Sequence, residues 1–211
     1  MNIPTTKFTF NKIRPKITPT SFNPSWESFS GQKMFKYAAL KVAYRESLGH
    51  VRGILDSCPF VGGFKHKLVD VKIHSLQEGE CPCIFGWHLD GHPNPFHYPK
   101  PSIYHLFLLG PEHSRTLFID EPVELEVLAD KDPKKINDDY VKQLKSLAPK
   151  YIHAPEASWV TFTSEDFHSG PVMSKPANRI LVRVAETDYI EPRNSETKEA
   201  FKQRVPKVFD N

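Results

Sequence analysis

The stretch that organises the chain is Gly86-Trp87-His88-Leu89-Asp90, which places a histidine and an aspartate two positions apart. A second histidine, His168, follows 80 residues after the first. Two imidazoles and one carboxylate on one face of a metal form a ligand set that suits Fe(II) and leaves coordination positions open. On a strand, residues i and i+2 point the same way, so His88 and Asp90 can reach one centre. The spacing therefore predicts a metal site formed by His88, Asp90 and His168.

Two arginines follow the distal histidine on one predicted strand. Arg179 lies eleven residues after His168, and its planar guanidinium can hold the carboxylate of an anionic co-substrate in a bidentate pair. Arg179, Leu181 and Arg183 alternate onto one face of that strand. Two interpretations of Arg183 stay open. It contacts an anionic co-substrate or substrate, or it pairs with a protein carboxylate at the rim of the site.

The composition is typical of a globular protein with one domain and a sizeable core. Of 211 residues, 39% are hydrophobic and 25% are charged. No apolar run reaches the roughly 18 residues that a membrane span needs. The first residues show no charged region that leads into an apolar one, as in a signal peptide, and three cysteines do not make a disulfide framework. These features predict a reducing, cytoplasmic compartment and no membrane partner.

Charge is unevenly distributed along the chain. Residues 1–72 contain twelve Lys and Arg against four Asp and Glu, whereas the remainder contains sixteen against twenty-one. Such asymmetry can mark a face for nucleic acid or another anionic partner. A basic helix exposed to solvent beside an acidic barrel is the simpler explanation, and no basic-aromatic signature accompanies the charge. Nucleic acid is therefore a partner that the sequence allows but does not favour.

The periodicity of apolar residues predicts helices early in the chain and strands later. Residues 1–28, rich in Pro, Thr, Asn and Lys, predict an extended arm without regular structure of its own. Helices are predicted over 30–48, 50–57 and 134–147. Strands are predicted over 68–76, 83–88, 103–109, 115–119, 123–128, 158–162 and 179–184, with a Pro-rich loop over 92–101 and His168 on a turn.

Many short strands with N-terminal helices predict a mainly β fold with flanking helices. The expected architecture is a jelly-roll barrel with these helices packed on one sheet. We expect one domain over 1–211, made of the arm 1–28, a helical part 29–67, a jelly-roll core 68–188 and a surface tail 189–211. In such a barrel, strands that are distant in sequence become neighbours, so distant ligands can converge.

These motifs resemble those of the Fe(II)- and 2-oxoglutarate-dependent dioxygenases, whose double-stranded β-helix carries His-x-Asp, a distal His and a later Arg. Trp87-His88-Leu89-Asp90 and Arg115-Thr116-Leu117-Phe118 are similar to motifs of the taurine-dioxygenase-like branch, with Ser114 in place of its glycine. The resemblance covers residues 85–187. It implies an enzyme, most simply a hydroxylase, that couples decarboxylation of 2-oxoglutarate to succinate with oxidation of a second substrate by O2.

The resemblance also implies a role for each site residue. His88, Asp90 and His168 would bind Fe(II), which 2-oxoglutarate would chelate through its 2-keto and C1-carboxylate oxygens. Arg179 would hold the C5 carboxylate of 2-oxoglutarate, and Thr116 would assist it. If Arg183 contacts the co-substrate, it would do so at the C1 carboxylate. The motifs do not specify the second substrate or an oligomeric state.

Other histidines and other protein classes compete with this interpretation. His92 would replace His168 if the strand continued past Gly91, whereas His105 is expected to be a core or supporting histidine. Cys81-Pro82-Cys83 is spaced more tightly than usual zinc ligands and is interpreted as structural. A cupin-type isomerase or ligand-binding protein is the main alternative, and it would not need Arg179. A non-enzymatic module that binds anions or nucleic acid is the third hypothesis.

Overall fold

The computed structural model describes residues 4–82, 86–130 and 132–190, and in these the chain is mainly β with flanking helices, as predicted. The strands are β1 (Thr5–Phe10), β2 (Lys16–Pro19), β3 (Phe35–Ala39), β4 (His66–Leu76), β5 (Ile103–Leu109), β6 (Leu117–Ile119), β7 (Val123–Leu128), β8 (Tyr151–His153), β9 (Ser158–Thr163), β10 (His168–Ser169) and β11 (Ala177–Thr187). The helices are α1 (Leu40–Glu46), α2 (Gly49–Asp56) and α3 (Pro133–Leu147).

The largest sheet is antiparallel, with the strand order β2-β9-β5-β11-β4-β3. Strand β11 lies near its centre and pairs with β4 from Ala177 to Thr187, while residues 180–186 also pair with β5. A smaller sheet has the order β10-β6-β8, and β1 pairs with β7. His88 joins the smaller sheet through an isolated bridge to His168 in β10. Distant parts of the chain therefore meet at both sheets.

The two faces of the large sheet have different neighbours. On the outer face, the helices α1 and α2 bury apolar side chains against the strands; the helical residues are Ala43, Val51, Ile54 and Leu55, and those of β11 are Ile180, Val182 and Val184. This confirms the prediction that N-terminal helices pack on one sheet. On the inner face, Leu181 and Ala185 contact a cluster that includes Phe118 of the smaller sheet. The alternation along β11 thus turns Arg179 and Arg183 inward.

Helix α3 confirms the helix predicted over 134–147. Asp132 caps its first turn by accepting a hydrogen bond from the backbone amide of Lys134 at 2.9 Å, and Pro133 occupies the first helical position. Its buried residues Ile136, Tyr140 and Leu144 share a core cluster with β1 and β7. Local signals suffice here because the cap and the apolar spacing both lie within the helix.

The N-terminal predictions are wrong in two places. The arm has regular structure, since β1 pairs with β7 and β2 pairs with β9. The predicted helix over 30–48 is a strand in its middle part, because residues 35–39 add to the edge of β4 before α1 begins. In residues 35–39, pairing with β4 overrides the local helical spacing, and in the arm, pairing with β7 and β9 makes strands that the local sequence does not signal.

The described part of the strand predicted over 83–88, residues 86–88, does not form a regular strand. Residues 83–85 lie outside the described residues, and of the described residues 86–90 only His88 makes a β-bridge. His168, expected on a turn, instead begins the short strand β10. Strand β8, which the sequence did not predict, completes the smaller sheet.

A buried carboxylate ties the loop after α2 to the large sheet. Glu186 is fully buried and accepts hydrogen bonds from the backbone amides of Val61 and Gly62 and from Nε2 of His105. Burial raises the pKa of Glu186, but these donors outweigh burial and bring it below the ordinary value of 4.5. Burial lowers the pKa of His105, so the neutral ring donates to Glu186.

Replacing Glu186 with glutamine is expected to lower the free energy of unfolding at pH 7 by about 1–3 kcal/mol, because an amide oxygen accepts these bonds less strongly. The folded-state pKa is depressed, so the stabilisation by the carboxylate is present above pH 4.5 and is lost as the pH falls through that pKa. Urea unfolding at pH 7 and below pH 4.5 measures the difference in free energy of unfolding between the unmutated protein and Glu186→Gln. This difference should be smaller at the lower pH. The exposed pair of Glu124 with Lys7 offers Glu124→Gln as the control. An equal difference at both pH values would contradict this assignment.

Candidate metal and co-substrate site

The backbone brings His88 and His168 side by side. Each residue's amide donates to the other's carbonyl, at 3.0 Å from His88 and 3.1 Å from His168. The imidazole rings lie with their centroids 4.5 Å apart, and the ring of His168 also packs near Phe118 and Phe162 of the inner core. The structure therefore places two of the three predicted ligands together at the edge of the space between the sheets.

Both histidines are oriented through their Nδ1 atoms. Nδ1 of His88 lies 2.9 Å from the carbonyl of Gly86, and Nδ1 of His168 lies 3.2 Å from the carbonyl of Asp166. A neutral ring donates from Nδ1 to such a carbonyl and keeps the lone pair on Nε2, which is how metal-bound histidines are usually held. Burial lowers the pKa of His168 to about 4, which favours this neutral form.

Asp90 completes the group, 3.6 Å from Nε2 of His168 through its Oδ2 atom. Nη1 of Arg183 donates to the same oxygen. Burial disfavours the ionised carboxylate, but the positive charge of Arg183 and the nearby His168 hold the pKa of Asp90 well below its usual range. The site thus contains one ionised carboxylate beside two imidazoles.

The chemistry of these donors fits Fe(II), but their arrangement is not that of a formed metal site. Within the described residues no three His, Cys, Asp or Glu side chains are grouped so that they hold a metal ion. The group contains two oriented nitrogen donors and one carboxylate whose Oδ2 atom is bonded to Arg183. A metal would therefore bind the His88 and His168 Nε2 atoms and either share Asp90 with Arg183 or use its second oxygen.

Arg179 is among the most deeply buried side chains, with 1% exposure. Its Nη1 atom donates to the carbonyl of Ser114 at 2.6 Å, and its Cα lies opposite that of His74 in the pairing of β11 with β4. Thr116, two residues past Ser114, is also buried. The hydrogen bond to Ser114 thus brings together Arg179 and the segment that carries Thr116.

Arg183 pairs with protein carboxylates, which is one of its two predicted interpretations. Its Nε and Nη2 atoms donate to Oδ2 of Asp70, with the Nε bond at 2.9 Å, while Nη1 donates to Asp90. The rings of Tyr37 and Tyr104 lie over its guanidinium, with their centroids 5.6 and 5.4 Å from its central carbon. With 13% side-chain exposure, the arginine is largely buried and does not lie at an exposed rim.

Asp70 is the residue that sequence reasoning missed. It is 3% exposed and lies directly opposite Arg183 in the pairing of β4 with β11. The signal was present, since Asp70 interrupts an apolar strand and a buried aspartate requires a partner. The identity of that partner depends on the register of two strands more than 100 residues apart in sequence.

Two competing histidines take other positions. His92 stacks on His97 in the Pro-rich loop, with ring centroids 3.8 Å apart, and its Nδ1 atom accepts from the amide of Asn94. His105 is fully buried on the outer face and contacts Thr161 and Glu186, as expected of a structural histidine.

The basic N-terminal third contributes to a different surface. Lys41, Arg45 and Arg52 line a groove of about 800 Å³ between α1 and α2, whose floor includes Leu55 and Phe60. This groove opens on the outer side of the large sheet, away from the inward-facing Arg179 and Arg183.

Comparison of the chain with protein-family models, curated proteins and solved structures gives no match. In the described part of the chain, no helix has both the length and the apolar character needed to cross a membrane.

Gly110→Ala is expected to destabilise the protein where Gly110 packs against β11. A Cβ at position 110 would lie 2.9 Å from the carbonyl oxygen of Asn178 and 3.0 Å from Cβ of Arg179, on a backbone with φ of +142°. The control is Gly79→Ala, which has φ of +84° but no heavy atom within 4 Å of the added Cβ. Urea unfolding should give a loss of about 1–3 kcal/mol at Gly79 from backbone strain alone and a larger loss at Gly110. Equal losses would show that the contact with β11 is unimportant.

Proposed function

We propose that the protein is a non-haem Fe(II)- and 2-oxoglutarate-dependent dioxygenase, most simply a hydroxylase. The observation that carries the proposal is the convergence of His88, Asp90 and His168, with Arg179 buried on the inward face of β11. Two imidazoles with one carboxylate suit Fe(II) with open positions. A buried guanidinium eleven residues further along suits a dicarboxylate co-substrate.

The strand order supports a double-stranded β-helix. With the His88 segment taken as the second strand, the chain order of the eight central strands is β4, His88, β5, β6, β8, β9, β10 and β11. In the larger layer, the neighbouring strands are β4, β11, β5 and β9, which are the first, eighth, third and sixth of these eight. In the smaller layer, they are the His88 segment, β10, β6 and β8, which are the second, seventh, fourth and fifth. Two interleaved four-stranded antiparallel sheets of this kind form a jelly roll. We therefore propose this architecture, extended by β2 and β3 at the edges of the larger layer.

The protein groups have distinct tasks in this proposal. Bound iron would supply the activation of O2 and the oxidising power, and 2-oxoglutarate would supply two electrons as it loses CO2 to give succinate. The carbonyls of Gly86 and Asp166 orient the two imidazoles through Nδ1, which leaves the Nε2 atoms as the nitrogens that would bind the metal. Burial of both rings excludes bulk water from that side of the site.

Arg179 is assigned to the C5 carboxylate of 2-oxoglutarate. The carbonyl of Ser114 accepts a hydrogen bond from Nη1 of Arg179, which restrains the plane of the guanidinium. A planar fork can take both oxygens of a carboxylate, whereas a lysine offers a single point charge. Thr116 is assigned as a weaker, neutral partner of the same carboxylate, since it lies in the segment that Arg179 contacts.

The metal assignment predicts that His88→Ala, Asp90→Ala and His168→Ala each abolish tight Fe(II) binding and turnover. Loss of one donor leaves an incomplete ligand set, and the nearest histidine in sequence, His92, is stacked on His97. Anaerobic Fe(II) binding and succinate release measure both effects, with circular dichroism to check folding. His92→Ala is the control and should keep full Fe(II) affinity. If His168→Ala remained active while His92→Ala did not, the assigned triad would be wrong.

The co-substrate assignment predicts that Arg179→Ala weakens 2-oxoglutarate binding by at least about thirty-fold, since losing a desolvated charge pair costs about 2–5 kcal/mol. Fe(II) affinity should stay nearly unchanged, and Thr116→Ala should have a smaller effect of the same kind. The measurement is an anaerobic titration of the Fe(II) protein with 2-oxoglutarate, in which the visible charge-transfer band of the chelate is monitored. Absence of the band in the unmutated protein would reject the oxygenase proposal. A normal band with unchanged affinity in Arg179→Ala would reject only the role of Arg179.

A further inference from the structure

A chain of buried polar groups connects the edge of the large sheet to the metal position. The backbone amide of Tyr37 donates to Oδ1 of Asp70 at 2.6 Å, Asp70 accepts two bonds from Arg183, and Arg183 donates to Asp90. These groups come from β3, β4, β11 and the His88 segment. Each member of the chain therefore depends on the position of the one before it.

The backbone at Tyr37 is shaped to make the first of these bonds. Tyr37 has a φ of +51°, and the pairing of β3 with β4 shifts register between Phe35 and Ala38. A non-glycine residue rarely adopts this conformation, which costs about 1–3 kcal/mol and persists where surrounding contacts hold it. Here the irregular strand turns an amide toward Asp70, a second donor besides Arg183.

The charges in this chain have a consequence for any metal at the site. Asp70 and Asp90 contribute two negative charges and Arg183 contributes one positive charge, so the three side chains leave a net charge of minus one beside the two imidazoles. Without Asp70, the positive charge of Arg183 would cancel the negative charge of Asp90, and a divalent cation would bind at a site with no net charge. In a largely buried site such a change is poorly screened.

We propose that Asp70 is a positioning residue for the metal site: it neutralises Arg183, so that Asp90 keeps its negative charge for a divalent cation. This inference rests on the proposed function, because it presumes a metal bound by His88, Asp90 and His168. It also assigns Arg183 to Asp90, and not to the C1 carboxylate of 2-oxoglutarate.

The test uses the full chain and Co(II), whose visible absorption reports both affinity and coordination geometry. Asp70→Asn should bind Co(II) about 10- to 100-fold more weakly than the unmutated protein, which is the usual effect of losing a partner behind a metal ligand. Asp188→Asn is the matched control. Asp188 also accepts a backbone amide bond, from Lys65, and pairs with a cation, Lys100, but it lies outside the metal site. It should leave Co(II) affinity unchanged.

A double variant separates charge balance from a merely structural role. Asp70→Asn with Arg183→Met removes one negative and one positive charge, so the site regains its net charge of minus one. It should bind Co(II) at least tenfold more tightly than Asp70→Asn alone. If Asp70→Asn does not fold, the Co(II) affinity of the double variant is compared with that of the unmutated protein. A loss of tenfold or more in the double variant then overturns the inference.

The remaining outcomes distinguish the two proposals. Co(II) binding by the unmutated protein with unchanged affinity in Asp70→Asn would overturn the role of Asp70 and leave the proposed function intact. An Asp70→Asn defect that the double variant does not relieve would overturn the charge-balancing role. No Co(II) binding by the unmutated protein would overturn the metal site itself, and this inference with it.

Discussion

The structure depends on the burial of both faces of strand β11. Its even-numbered residues, such as Val182, meet the N-terminal helices, and its odd-numbered residues face the space between the sheets. Because that inner face carries Arg179 and Arg183, two cations are enclosed by the same pairing that builds the core. Enclosed cations require partners, since an unpaired buried charge is expensive. The pairing of β11 with β4 supplies Asp70 directly opposite Arg183.

The contact between His88 and His168 is a second constraint, and only a short stretch of backbone pairing forms it. One bridge of two hydrogen bonds joins segments separated by 80 residues. Closing so long a loop carries an entropy cost that two such bonds do not offset alone. The intervening strands β5, β6, β8 and β9 pair within the two sheets and supply the remaining free energy. The candidate ligands therefore converge because strand pairing in the two sheets holds their segments together.

Most of the secondary structure could be predicted from the sequence. Strand β5 and helices α2 and α3 fall where apolar spacing places them, because i,i+2 and i,i+4 neighbours lie within a single element. The arm could not be predicted, because β1 and β2 are strands only through their pairing with β7 and β9. The same holds for β3, where pairing with β4 overrides the helical spacing of its residues.

For the candidate site, the sequence by itself identified the side chains that are proposed to carry the chemistry, and it predicted that Arg179 and Arg183 share one strand face. The spacing of His88 from Asp90, and of Arg179 from Arg183, is a local property that needs no knowledge of the fold. Only the tertiary structure decided that His88 meets His168, and that Arg183 bonds to Asp70 and Asp90. The physical reason is that hydrogen bonds and ion pairs between distant segments are set by strand register, which leaves no periodic signal in either segment.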